Sequence, residues 1–339
     1  MARLNSAELK ARVESLLDEM ETVANRDVAA DIVNTALRLT TDDASRLDLK
    51  ITATALREMR AAFRAFAPYR DRRKVTMFGS ARTKPDSPLY IQAKEMAAAL
   101  SAADWMVVTG AGPGIMEAGL EGAGRANAFG VNIRLPFEQG ANAFIAKDPK
   151  LVEMKYFFTR KLMLIKESDG YVVLPGGFGT LDEAFELLTL LQTGKAEPAP
   201  VVFLDWAGGE YWRALDQFVV DHVAASGLVT PGDECLWLTT DSVAEATSEV
   251  LGFYANYHSL RWVGKDLVLR MQRAPSDAQL ADLSADFHDM LQEGGIRIVE
   301  ASRSERADND VVDLARLALR FDKLSYHRLR EFINALNAL

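Results

Sequence analysis

Gly170-Tyr171-Val172-Val173-Leu174-Pro175-Gly176-Gly177-Phe178-Gly179-Thr180-Leu181-Asp182-Glu183 sets out a strand, a turn and the start of a helix. Residues 170–174 are apolar, rich in β-branched or aromatic side chains, and bounded by glycine and proline, the pattern of a short buried strand. Leu181, Phe185, Leu187, Leu188 and Leu191 then recur at helical spacing. The glycines therefore fall on a strand-to-helix turn. There the first amides of the helix lack intrahelical acceptors, and the helix dipole favours an anion. Gly176, Gly177 and Gly179 let the backbone approach a ligand closely, and Thr180 adds a hydroxyl or caps the helix. Glu183 follows one turn in. The pattern predicts a phosphate cradle with a carboxylate beside it, although a first-turn acid is also favoured by the dipole alone.

The surrounding chain repeats this strand–helix rhythm. Strands are predicted over 74–80, 105–109, 130–135, 170–174, 201–205 and 234–240. Helices are predicted over 89–103, 114–128, 156–167, 180–193, 210–226 and 242–256. Alternating βα units with apolar strands imply a doubly wound, Rossmann-like α/β core with a parallel sheet covered on both faces. Right-handed crossovers place every strand-to-helix turn on one edge of such a sheet. Ser80, the loop of Gly110, Gly112 and Gly114, and the 176–180 turn all end strands, so they should converge. Met116 and Glu117 open the helix after the second loop and join the candidate phosphate- or ribose-binding set. For each of them tight strand–helix packing is an equally good reading. Ser80 either binds ligand or caps its own turn, and Arg82 should face solvent.

A carboxylate near the anomeric carbon of a ribose stabilises the positive charge that develops as a C1′–N bond breaks, and can orient or deprotonate the attacking water. Glu183 is the candidate for that role; Asp182 and Glu186 are its competitors on the same helix. Arg160, among Phe157, Phe158, Leu162 and Met163, is the natural partner. It would clamp phosphate or ribose oxygens, or hold Glu183 ionised. For Lys161 a phosphate contact and a surface position are nearly balanced.

Pro175-Gly176-Gly177-Phe178-Gly179-Thr180-Leu181-Asp182-Glu183, with Arg160-Lys161 upstream, resembles the PGGxGTxxE and RK signature of the Lonely Guy family. The resemblance extends over roughly residues 74–256 and includes Phe78-Gly79-Ser80-Ala81-Arg82 and Thr109-Gly110-Ala111-Gly112-Pro113-Gly114-Ile115-Met116-Glu117. It implies a phosphoribohydrolase that releases the base from a nucleoside 5′-monophosphate, with Arg160 and Glu183 as the catalytic pair and subunits paired through helices around the site. A homodimer or higher homo-oligomer is therefore expected. Phe157-Phe158-Thr159 stands where short plant-type members commonly carry Met-His-x. That difference, the Gly-Pro-Gly-Ile-Met-Glu loop and the long extensions look more like the longer bacterial members. The base then ranges from adenine or an N6-substituted adenine to other purines and pyrimidines. Related sequences have been labelled lysine decarboxylases, but no lysine here stands in a recognisable pyridoxal-phosphate context.

No cofactor is expected, since glycosidic cleavage needs charge stabilisation and water. The single cysteine and the scattered His222, His258, His288 and His327 offer no metal-ligand spacing. A net charge of −9 over 339 residues speaks against a nucleic-acid partner. No run approaches eighteen apolar residues, so no membrane partner and a cytoplasmic location are expected. The basic run Arg70, Arg72, Arg73, Lys74 reads as a solvated boundary or a subunit contact. The chain divides into a helical extension (1–68), the nucleotide-binding core (69–262) and a small α+β appendage (263–339). In the appendage, strands at 267–273 and 295–300 flank a helix at 277–292, with helices near 308–321 and 325–337. Two rivals remain. A non-catalytic nucleotide sensor would need no acid beside C1′. A dehydrogenase would need G-x-G-x-x-G after its first strand, which is missing.

Overall fold

The computed structural model describes residues 6–20, 25–135 and 140–339; the first residues of the predicted N-terminal helix and the stretch 21–24 lie outside them. The chain forms two compact units, Met1–Arg60 and Ala61–Leu339. In the first, α1 (Ser6–Glu19) and α2 (Arg26–Leu39) meet through Val13, Leu17 and Ala30. Helix α3 (Arg46–Phe66) runs on into the second unit. Leu49, Leu56 and Phe63 on this helix are exposed, whereas Phe66 is enclosed and stacks on Phe129 at 3.7 Å.

In chain order the core contains β1 (Lys74–Phe78), α4 (Pro88–Ala102), β2 (Met106–Thr109), α5 (Ile115–Asn127), β3 (Ala128–Ile133) and β4 (Leu151–Met154). It continues through α6 (Phe157–Lys166), β5 (Gly170–Val173), α7 (Phe178–Gln192), β6 (Val201–Leu204), α8 (Tyr211–Phe218), β7 (Leu238–Thr240) and α9 (Val243–Gly252). The seven strands pair in the order β4-β3-β2-β1-β5-β6-β7, all parallel. This is the doubly wound α/β fold read from the sequence. The order reverses between β1 and β5, which creates the crevice in which such sheets bind ligands. Strand residues of β1, β2, β3, β5 and β6 are buried throughout, as a sheet covered on both faces requires.

Three sequence expectations change here. Strand β4 is additional: its alternating Leu151, Val152, Glu153, Met154 suits an edge strand with one wet face. The predicted strand 234–240 shortens to β7, because residues 233–236 coil into a 3-10 turn. Cys235 therefore lies in a turn, half-buried, with its thiol donating to the His327 carbonyl at 3.4 Å. Three of the four basic residues at the start of β1 are engaged within the chain, while Arg70 is exposed. Arg72 pairs with Asp104 at 2.6 Å, Arg73 pairs with Asp169 at 3.0 Å and lies over the Tyr254 ring, and Lys74 donates to the Arg72 carbonyl.

The C-terminal sheet is antiparallel, in the order β10-β11-β9-β8. Its elements are β8 (Tyr257–Val263), β9 (Asp266–Met271), α10 (Asp277–Asp286), β10 (Leu291–Ile298), α11 (Arg303–Asp308), β11 (Ala315–Phe321) and α12 (Tyr326–Asn337). The boundary read at 262–263 cuts through this sheet, since β8 pairs with β9. The helix expected near 308–321 is instead a short helix followed by strand β11. Helix α12 joins this layer to the core: Arg330 bonds Glu249 and the Ala199 carbonyl, and Asn337 accepts from the Asn256 and Tyr257 amides.

Candidate active site

Strands β1, β2 and β5 end side by side, and their turns are tied to one another. The Ser80 amide donates to the Pro175 carbonyl at 3.2 Å, and the Ile115 amide donates to the Ser80 carbonyl at 3.0 Å. Ser80, Gly110, Gly112, Gly114, Gly176, Gly177, Gly179 and Thr180 are thus brought to one edge, as the topology predicted. The Ser80 hydroxyl accepts from the Arg82 amide at 3.1 Å, which caps its own turn, and Arg82 is exposed.

Within the 176–180 turn the Thr180 amide donates to the Gly177 carbonyl at 3.0 Å. Helix α7 begins at Phe178 with Gly177 as its N-cap and no side-chain cap, so Thr180 lies within the helix and does not cap it. Thr180 is buried, with its hydroxyl packed against Gly176. The amides of Gly177, Phe178 and Gly179 find no acceptor among the described residues, and a Cβ on Gly177 or Gly179 would meet open space. Phe178 is 94% exposed at the tip. Unpaired amides at a helix start make an anion site.

The second loop supports the arginine. A side chain on Gly110 would collide with the Arg160 guanidinium and the Met116 sulfur, so the guanidinium lies directly on the Gly110 backbone. Gly114 adopts φ +68° against the Ser80 carbonyl, a conformation and a clearance only glycine supplies. Met116 and the half-buried Glu117 stand in the first turn of α5, with Met116 against Gly110 and Gly112. Arg160 is buried; its Nε donates to the Val131 carbonyl at 3.2 Å, while Nη2 stands 4.0 Å from Glu183 Oε1. That contact is an ion pair at its outer limit and not a hydrogen bond.

Three neighbouring carboxylates separate clearly by environment. Lys161 holds Asp182 at 2.8 Å and Glu186 at 2.6 Å. Burial pulls the Lys161 ammonium down, but these two hydrogen bonds raise it above its ordinary value. Lys161, for which a phosphate contact and a surface position were nearly balanced, is thus engaged by α7. Glu183 lies in the second turn of α7, because the helix starts two residues before the predicted 180, and 14% of its side chain is exposed. Burial pushes its carboxyl up to about 7, against the pull of Arg160 and Lys161. Desolvation therefore outweighs the arginine, which favours the ionised form without restoring the ordinary value. A carboxyl poised near neutrality is suited to proton transfer.

This shift has a stability consequence. An unfolded Glu183 loses its proton near 4.5 and the folded one near 7. Between those values the folded state binds more protons, so stability falls as pH rises through that window and stays lower above it. Glu183→Gln should therefore stabilise the protein at pH 8, by on the order of 3 kcal/mol at most, and have little effect at pH 4. Thermal melting at both pH values checks this; an equal change at both would rule out a desolvated carboxyl.

Sequence reading missed two supports. Asn142 caps the second loop, donating to the Gly112 carbonyl at 2.9 Å, with its own amide on the Ala111 carbonyl. Tyr211 donates to the Gly176 carbonyl at 2.7 Å. Asp205, an acid at a strand end before Gly208-Gly209, was the available signal for the second.

The fold and site define a doubly wound α/β protein with unpaired turn amides and a largely enclosed acid–arginine pair at its switch point. Residues 111–250 match the family model described as "Possible lysine decarboxylase". The chain is 31% identical to the probable cytokinin riboside 5'-monophosphate phosphoribohydrolase LOGL3 of Oryza sativa subsp. japonica, over 29% of this chain and 44% of that protein. It is 36% identical to the cytokinin riboside 5'-monophosphate phosphoribohydrolase of Rhodococcoides fascians, over 21% and 34%. It is 28% identical to the pyrimidine/purine nucleotide 5'-monophosphate nucleosidase of Escherichia coli (strain K12), over 39% and 31%. These matches bear out the Lonely Guy resemblance; the chain matches less than half the length of each relative.

Proposed function

We propose that this protein hydrolyses the N-glycosidic bond of a nucleoside 5′-monophosphate, yielding free base and ribose 5-phosphate. The observation that carries the reading is a largely enclosed Glu183, raised toward neutral pH and facing Arg160, on the helix whose first amides are unpaired. The 5′-phosphate binds the Gly177, Phe178 and Gly179 amides, and the ribose then lies along α7 toward Glu183. As the C1′–N bond breaks, the Glu183 carboxylate stabilises the cationic ribose and takes a proton from the attacking water. The water oxygen bonds to C1′, and the base leaves with the bonding electron pair and gains a proton. Arg160, fixed on Gly110 and the Val131 carbonyl, orients phosphate or ribose oxygens. Incubation with a panel of nucleoside monophosphates, assaying free base and ribose 5-phosphate, tests the reaction and names the base. Binding without release of base from any member would favour the sensor reading.

The activity is expected to need no metal. The transition state places positive charge on the sugar, where a cation would repel it, and no metal-holding cluster of His, Cys, Asp or Glu is found among the described residues. Turnover should survive excess chelator; loss restored by a divalent ion would overturn this. The exposed Phe157, Phe158, Leu162 and Phe185 on α6 and α7 support a homo-oligomer covering that face, which sedimentation would detect. No helix among the described residues is long and apolar enough to cross a membrane. A cytoplasmic location and the absence of a nucleic-acid partner complete the proposal, the latter supported by the net charge of −9.

A further inference from the structure

The Gly176–Gly177 peptide is the one unit of the cradle with no side chain on either flank, and such a unit rotates easily. A planar trans peptide points its C=O and N–H in opposite directions. Whatever holds the Gly176 carbonyl therefore also sets the direction of the Gly177 amide. A half-turn of this peptide would replace a donor with a carbonyl oxygen facing the anion.

The carbonyl is held from outside the motif. Tyr211, the first residue of α8, donates its hydroxyl to Gly176 O at 2.7 Å. The tyrosine is itself fixed. Its amide donates to Asp205 Oδ2 at 2.9 Å, and its ring packs edge-on against Trp212 at 4.7 Å. Trp212 is fully buried and stacks on Phe203 of β6 at 4.5 Å. Asp205, buried at the end of β6, also accepts from the Trp206 amide at 3.0 Å. The neighbouring strand thus reaches back into the phosphate turn through a single hydroxyl.

We propose that Tyr211 is a positioning residue for the phosphate: its hydroxyl locks the Gly176–Gly177 peptide so that the Gly177 amide stays turned to the ligand. The proposal rests on the phosphate reading of residues 176–180, and Tyr211 itself touches no reacting atom. Tyr211→Phe deletes the hydroxyl and keeps the ring against Trp212. The variant should bind inorganic phosphate about tenfold more weakly by calorimetry. KM for the best monophosphate should rise by the same factor with kcat nearly unchanged. Slow cleavage of the corresponding nucleoside, which lacks the phosphate, should not change. Wild-type phosphate affinity in the variant, or a parallel loss of nucleoside cleavage, would overturn the proposal. If the wild-type protein cleaves no monophosphate but Tyr211→Phe still weakens phosphate binding, the hydrolase reading fails and the positioning role stands. A wild-type protein that binds no phosphate would remove both.

Discussion

Glu183→Gln is expected to lower kcat by on the order of 10²–10⁴, the usual contribution of a positioned acid–base group, while nucleotide affinity changes little. The argument starts from the three carboxylates of α7. Asp182 and Glu186 are both hydrogen-bonded to Lys161, at 2.8 and 2.6 Å, which leaves Glu183 as the one whose charge is not hydrogen-bonded to a cation. Its carboxylate is costly in the ground state because it is desolvated, and burial raises it to about 7. Positive charge developing on the ribose relieves that cost, so the interaction grows toward the transition state and acts on kcat more than on binding. The pH dependence follows with a definite sign. The ionised form is the active base, so kcat/KM of the wild-type protein should rise through about pH 7 and level off above it. The second ionisation of the substrate phosphate lies near 6, and a profile run at saturating substrate separates the two. A Glu183→Gln enzyme with wild-type kcat would remove Glu183 from the chemistry.

The same residues show how far sequence carries. The switch-point crevice was legible because its signals are local: strand, glycine turn and helix occupy adjacent positions, and strand-end turns of a parallel sheet can only face one way. Arg160 was legible by its apolar surroundings. The roles of Lys161 and of the charge on Glu183 were not. Both depend on which carboxylate a neighbouring helix presents and on how deeply α7 is buried, and those are tertiary facts. Tyr211 was hidden for a similar reason. It lies 35 positions from Gly176, on a different βα unit, and its one local signal, Asp205 before Gly208-Gly209, marks a strand-end turn without saying which other turn it serves.

Strand β11 illustrates the opposite failure. Ala315-Arg316-Leu317-Ala318-Leu319-Arg320 is made of strong helix formers, and propensity predicts a helix. The chain is a strand because Leu317, Leu319 and Phe321 alternate into the C-terminal core, while Arg316 on the other face is buried against Glu305 at 3.2 Å. The period of two is present in the sequence. A buried arginine disguises it, since charged residues normally mark the wet face. Tertiary pairing with β9 and β10 then overrides intrinsic preference.

Nucleoside monophosphates are expected to be cleaved roughly 10²–10⁴ times more efficiently than the corresponding nucleosides, in kcat/KM. The cradle offers three unpaired amides, at Gly177, Phe178 and Gly179. Two hydrogen bonds to a charged phosphate, at about 1.5–3 kcal/mol each, are enough for that range. The loss should appear in kcat as well as in KM. Glu183 is fixed by burial in α7, and a ribose that is not tethered at its 5′ end samples many positions beside it. Phosphate binding converts that search into a single orientation, so remote binding energy lowers the barrier at C1′. Two measurements together separate tethering from simple affinity: the kcat ratio of adenosine to its monophosphate, and the effect of added inorganic phosphate on each. Phosphate should compete with the monophosphate, and by filling the cradle it should leave nucleoside cleavage intact or faster. Equal kcat/KM for the two substrates would show that the 176–180 turn does not hold the phosphate, and the ribose would then have to be placed by other groups at the β1–β5 crevice.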